Sequence, residues 1–380
     1  MRVLCMILVA ALILSGCASA APAAETVPAA TLPTVPPETE TQPTLPPDPV
    51  AELLKTMTAE EKVGQLFLVR CPSENALADI ESYHLGGFVL FGQDIDGQTP
   101  ETLIQTLTEY QSASSIPMFI AVDEEGGIVC RVSSNPAFRS SPFPSPRNSY
   151  DKAGMEMVLS MEIEKGYLLS SLGINVNLGP VCDVTTQRRA FMYSRSLGQD
   201  PVTTGEFAIG ATELLRSFGV GSVLKHFPGY GDNADTHTGT AVDRRTLEEL
   251  ESRDLIPFSM AIISGCDAIM VSHTVVQALD PEHPATLSPA VNQYLRNVLG
   301  FDGVVVTDDL YMEAIRREYG IGEAAVLAFL AGNDLLCCTE YREQYPAVLE
   351  GVRSGRIPME QLDASVERIL RWKQAIGLIQ

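Results

Sequence analysis

Two short stretches carry the residues best suited to bond-making chemistry. The first is Val304-Val305-Val306-Thr307-Asp308-Asp309, in which a carboxylate follows three valines and a threonine. Such a run is strand-like, so Asp308 is expected to emerge into a poorly solvated mouth, where it can act as a nucleophile or stabilise developing positive charge. The competing role is a helix cap at 309–312, which suits Asp309 better than Asp308. The second stretch is Asp235-Thr236-His237, in a loop containing Gly and Asn. Two residues apart in extended chain, the carboxylate can hold one imidazole nitrogen, fix the tautomer and leave the other to move a proton near neutral pH. Asp and His also bind metals, and His226, His237 and His273 lie close together in sequence. The first strand candidate lacks an H-x-H pair at its end, so neither a metal nor another cofactor is expected.

These residues need a scaffold that brings separate strand ends together. After residue 50 the chain alternates β-rich runs with amphipathic stretches, the pattern of a parallel sheet covered by helices. The runs are Gln65–Cys71, Gly87–Phe91, Pro117–Asp123, Ile174–Val181, Ser222–Phe227, Ala268–His273, Gly303–Asp308 and Asn333–Cys338. Helices are expected at Pro100–Ser112, Lys152–Leu172, Pro201–Phe218, Thr246–Ser264, Pro289–Val298 and Gly322–Ala331, with a closing helix at Leu362–Ala375. Eight such units predict an α/β fold, a (β/α)8 TIM barrel forming a single catalytic domain over residues 51–380. A doubly wound open sheet is the alternative, weakened by the lack of a G-x-G-x-x-G turn after the first strand. Barrel sites form where strands end, and here strands run into Asp123-Glu124-Glu125-Gly126-Gly127, Asp183, Lys225-His226, Ser272-His273 and Asp308.

The N-terminus reads differently. Met1-Arg2, an apolar run from Val3 to Leu14 and then Ser15-Gly16-Cys17 form a signal peptide over residues 1–16. Residues 17–50, rich in Pro and Thr, are expected to be a disordered, semi-rigid tether. Of the 380 residues 45% are hydrophobic, and 26 Lys+Arg stand against 48 Asp+Glu, a formal charge of −22. A core is assured and nucleic-acid binding is excluded by repulsion. The cysteines at 71, 130, 182, 266, 337 and 338 are scattered through apolar runs, and free thiols are expected.

In combination, Asp123-Glu124-Glu125-Gly126-Gly127, Arg195-Ser196-Leu197-Gly198-Gln199-Asp200-Pro201, Lys225-His226-Phe227-Pro228-Gly229, Asp235-Thr236-His237 and Val306-Thr307-Asp308-Asp309-Leu310 resemble the β-N-acetylhexosaminidases of glycoside hydrolase family 3. The resemblance runs from about residue 50 to the C-terminus. It implies a retaining glycosidase in which Asp308 is the nucleophile, His237 the general acid/base and Asp235 its orienting partner. Asp123, Arg131, Arg195, Lys225 and His226 match the sugar-contacting positions, although Lys225 and His226 could instead form ion pairs with Asp123 or Asp308. Cys17 resembles the lipidated residue of a bacterial lipobox, which implies an extracytoplasmic protein held to the membrane by a lipid anchor.

The chain departs from the family pattern at Glu124, Ile128, Cys130 and Tyr230, and in a shortened Gly231–Asp235 stretch. Its single Trp, Trp372, falls in the last helix away from the mouth, so a pocket for one terminal sugar is expected rather than an aromatic cleft. The expected activity is exo-hydrolysis of terminal β-linked GlcNAc from peptidoglycan fragments or related glycans, by a monomer. Hydrolysis and phosphorolysis both stay open. The alternatives are a β-glucosidase of the same family and a catalytically idle, sugar-binding surface lipoprotein.

Overall fold

The computed structural model describes residues 48–231 and 241–380. The signal, Cys17 and nearly all of the expected tether lie outside these residues, as do Asp235 and His237.

Each expected run corresponds to one strand, the fifth starting one residue before its run: Phe67–Arg70, Gly87–Leu90, Phe119–Val122, Val176–Asn177, Gly221–Phe227, Ala268–Val271, Val304–Thr307 and Leu336–Cys338. Neighbours pair in parallel in chain order, and the eighth strand returns to the first through Phe67↔Leu336. The remaining gap is closed by the parallel bridge Val306↔Leu335, with Thr307 N–H donating to the Leu335 carbonyl at 3.0 Å. The sheet is therefore a barrel, and the doubly wound alternative, which leaves two open edges, does not hold. The Val, Ile, Leu and Phe of these strands are buried because the barrel interior and the helical layer cover both faces.

The helices begin where short polar residues can accept orphan N–H groups. Asp200 accepts from Val202 and Thr203 at 3.0 Å ahead of Pro201–Ser217, and Thr99 accepts from Thr102 at 3.3 Å ahead of Pro100–Ala113. The helix expected from Lys152 starts earlier, at Pro146 on a Ser145 cap, and runs to Ser171 with a break at Ala153-Gly154. Between Leu247 and Ile263 the helix widens into a π turn at Leu250–Asp254. Pro257 follows closely and has no N–H to give to the Arg253 carbonyl, so an ordinary α ladder cannot continue there.

Asp48 caps the helix Pro49–Thr56 and pairs with Arg371 of the last helix, Met359–Ala375, while Val50 enters the core. The six cysteines after Cys17 are all free. Trp372 lies at the barrel base, its ring centroid 4.5 Å from that of Phe119 at the start of the third strand.

At this base Lys373 is fully buried, with its ammonium on the Gln65 side-chain oxygen at 2.6 Å and 4.9 Å from the Phe119 ring centre. Burial lowers its pKa to about 7. An unfolded Lys keeps its proton to about pH 10, so between about pH 7 and 10 the unfolded chain holds one more proton and stability rises with pH, by about 1.4 kcal/mol per unit from this group. Lys373→Met should remove that part of the slope in urea unfolding followed across this range. An unaltered slope would show that Lys373 stays charged in the fold.

Candidate active site

The strand ends converge on a cavity of about 310 Å³ whose wall includes Asp123, Arg131, Arg195, Lys225, His226 and Asp308. Six of the eight expected site residues thus meet in one place. Aromatic surface comes from Phe91 and Tyr311, with Trp372 at the opposite end of the barrel.

A charged cluster fills one side of the cavity. Lys225 Nζ lies 2.5 Å from Asp123 Oδ1 and 2.7 Å from Glu125 Oε1, and Arg195 clasps both Glu125 oxygens at 2.6 and 2.9 Å. Two anions and two cations balance in a place where a lone charge would be costly. Burial alone would raise the Glu125 carboxyl, but Lys225 and Arg195 outweigh it and hold the group well below the usual carboxylate range. Burial likewise works against charge on Lys225, yet Asp123 and Glu125 raise its pKa overall. The ion pair expected between Lys225 and Asp123 is present. His226 instead binds Asp183, through Nδ1 at 2.8 Å. Because a carboxylate can only accept, Nδ1 carries the proton, and Nε2 lies 3.5 Å from Arg195 Nη2.

Asp308 directly follows the buried seventh strand, where its N–H donates to the Val271 carbonyl at 3.1 Å. One of its carboxylate oxygens accepts from Asp309 N–H at 2.9 Å. Asp309 does not cap the next helix, Glu313–Tyr319. It accepts from Tyr311 N–H and from the Thr339 hydroxyl, while its carbonyl holds His273 Nε2 at 2.9 Å.

Residues 58–372 match the model of the glycosyl hydrolase family 3 N-terminal domain. This chain belongs to glycosyl hydrolase family 3. It is similar to a protein of Mycobacterium tuberculosis named β-hexosaminidase LpqI, at 33% identity over 83% of each chain. The solved structure of that LpqI aligns with a TM-score of 0.77 at 31% identity, covering 86% of this chain and 96% of the other. A family 3 β-N-acetylglucosaminidase from a Paenibacillus aligns with a TM-score of 0.79 at 33% identity, over 85% of this chain and 63% of that longer one. Within the family the chain lies among the β-hexosaminidases.

Several supporting residues of this family 3 site were not singled out from the sequence. Glu125 stood in a quoted motif but carried no role, although its central place in the cluster follows from sharing a turn with Asp123. Glu124 has a buried carboxylate that accepts from the N–H groups of Arg131, Val132 and Ser133 at 2.9, 2.7 and 3.3 Å, and from the Ser133 hydroxyl. It folds the loop that presents Arg131. Gly126 and Gly127 turn this loop at positive φ, and a Cβ on Gly126 would lie 2.4 Å from the Pro144 carbonyl. Arg147 supports the Arg195 turn through the Tyr193 and Thr185 carbonyls, both at 2.9 Å.

Asp235 and His237 lie outside the described residues, but both flanks of their segment are tied to one guanidinium. Arg245 binds the Gly229 carbonyl at 3.0 Å, the Asp243 carboxylate at 2.5 Å and Asp254 at 2.5 Å. Tyr230, which replaces the second His of the related motif, donates its N–H to Asp183 at 2.7 Å and sets its ring edge-on to His226.

Removing the Glu125 charge tests the cluster. Glu125→Gln leaves two cations facing Asp123 alone, and breaking buried pairs of this kind costs about 3–5 kcal/mol. A lowered melting temperature together with weakened binding of GlcNAc by calorimetry is the expected result. Unchanged values of both would mean that the pairs contribute nothing.

Proposed function

We propose that this protein is a retaining exo-β-N-acetylglucosaminidase that releases terminal β-linked GlcNAc from peptidoglycan fragments or related glycans. The observation that carries the reading is the opening of Asp308 into a one-sugar cavity already furnished with Asp123, Lys225, Arg195, Arg131 and His226. Asp123 can accept from sugar hydroxyls, and the Arg and Lys groups can only donate, so the walls suit a polyhydroxylated ring. The mycobacterial and Paenibacillus names support the choice of an N-acetylated hexose.

In the proposed first step a carboxylate oxygen of Asp308 bonds to the anomeric carbon as the glycosidic bond breaks, and protonated His237 gives its proton to the leaving oxygen. In the second, neutral His237 takes a proton from water, the water oxygen bonds to the anomeric carbon, and Asp308 is released. Asp235 holds the imidazole in the tautomer this exchange needs. Most retaining glycosidases use two carboxyl groups for these roles. A neutral imidazole, unlike a second carboxylate, does not repel an anionic acceptor, so phosphate in place of water is compatible with the same residues.

The N-terminal signal, Cys17 and the Pro-rich tether support export and lipid anchoring, which would place this work outside the cytoplasm. Nitrophenyl β-GlcNAc and β-glucoside, each with and without phosphate, separate the readings. Turnover of the GlcNAc derivative supports the proposal, glucoside preference supports a β-glucosidase, and no turnover by the folded protein supports a sugar-binding lipoprotein.

Two variants test the roles of individual residues. Asp308→Ala should lower kcat by at least about 10³-fold while GlcNAc still binds. His237→Ala should slow substrates with poor leaving groups about 10²-fold or more, and activated aryl glycosides much less. Equal losses on both substrate types would count against His237 as the proton donor.

A further inference from the structure

His273 is fully buried and forms no part of the cavity wall, yet it reaches the turn that carries Asp308. The sixth strand, Ala268–Val271, ends on the carbonyl that accepts from Asp308 N–H at 3.1 Å. Two residues further on, His273 Nδ1 lies 2.6 Å from the Thr286 hydroxyl oxygen, and Nε2 lies 2.9 Å from the Asp309 carbonyl oxygen.

These two partners decide how many protons the ring holds. The Thr286 hydroxyl oxygen is 2.7 Å from the Ser272 carbonyl oxygen, a separation that two oxygens adopt with a proton between them. The one hydroxyl proton of Thr286 is therefore committed to Ser272, and toward His273 this hydroxyl can only accept. Nδ1 must donate. The Asp309 carbonyl also can only accept, so Nε2 must donate as well, and an imidazole with two N–H donors is a cation. The acceptor Thr286 is itself fixed, since its N–H donates to the Ser272 carbonyl at 3.1 Å and its carbonyl accepts from Asn333 Nδ2 at 2.7 Å.

The surrounding charges fit this state. The turn after the seventh strand brings two carboxylates, Asp308 and Asp309. Burial raises the Asp309 carboxyl, the Asp308 charge adds to that rise, and His273 offsets part of it. On the eighth strand burial pushes the Cys337 and Cys338 thiols well up and keeps them neutral beside Asp309. The 3₁₀ turn Ala285–Leu287 that carries Thr286 holds no titratable side chain, and beyond it Asp280 is engaged by Ser288 and His283. A cation behind the turn favours Asp308 in its ionised form. In the two-step reaction that charge is lost when the carboxylate oxygen bonds to the anomeric carbon. It returns when water displaces Asp308, the electron pair of the broken bond going back to the carboxylate and the water proton to His237. The cation thus assists the second step, in which charge develops on Asp308, and not the first.

We propose that His273 is a positioning residue, an imidazolium held behind the Asp308–Asp309 turn, which stabilises Asp308 as the departing carboxylate and so speeds breakdown of the covalent intermediate. The assignment rests on the retaining-glycosidase reading above and adds to it a residue that touches no sugar.

Two measurements test it. In ¹⁵N spectra of the unaltered protein both His273 nitrogens should carry a proton from about pH 6 to 8, the range in which an ordinary imidazole loses one. Thr286→Val removes the acceptor of Nδ1 and should return the ring to a single proton. The second measurement uses an activated aryl β-GlcNAc and His273→Gln, which keeps an N–H donor without the charge. This variant should release a burst of aryl alcohol and then turn over about tenfold more slowly, with KM lowered in step and kcat/KM changed by less than about threefold. Thr286→Val should give the same pattern. A ring nitrogen without a proton in that pH range, or kcat and kcat/KM falling together with no burst, overturns the proposal. Absence of turnover by the unaltered protein overturns the glycosidase reading itself, a result distinct from either.

Discussion

The site is built around the buried Glu125 carboxylate. With its side chain 1% exposed, it could not stay ionised unless Lys225 and Arg195 approached it, and it thereby draws side chains from two separate segments onto the third strand end. Asp123 then takes the remaining side of Lys225, and the cluster becomes neutral overall while still presenting donors and an acceptor to the cavity. Removing either cation would strand an anion in a place water scarcely reaches. Sugar hydroxyls entering this cavity meet groups whose positions are set before binding, which lowers the ordering cost that binding must otherwise meet.

Around this cluster a second layer fixes each contributor separately. Glu124 shapes the loop carrying Arg131, Arg147 holds the turn carrying Arg195, and Asp183 fixes the ring of His226 and the backbone of Tyr230. Arg245 ties together the two flanks of the segment that contains Asp235 and His237. The barrel supplies the common frame, since closure through Val306 and Leu335 sets the end of the seventh strand, and hence Asp308, across the barrel from the third.

Much of this was legible in the residues. The eight strands could be located because each is a short apolar run bounded by helix caps and turns, and the polar groups at their ends marked the mouth. One helix start was less visible: the helix before the fourth strand begins at Pro146 because Ser145 caps it. The roles of Glu125, Asp183 and Arg147 were also hidden. Their partners lie tens of residues away, and no local spacing announces a long-range ion pair or hydrogen bond. Asp309 was misread as a cap because sequence could not show that Thr339, from the following barrel unit, donates to it.

The central claim is that Asp308 forms a covalent bond to the sugar. A 2-fluoro GlcNAc-type donor with a good leaving group should inactivate the protein by trapping that bond, and peptide mapping by mass spectrometry should place the added sugar on Asp308. A label on Asp123 or Asp309, or cleavage of substrate with no trapped sugar and inversion at the anomeric carbon, would contradict it.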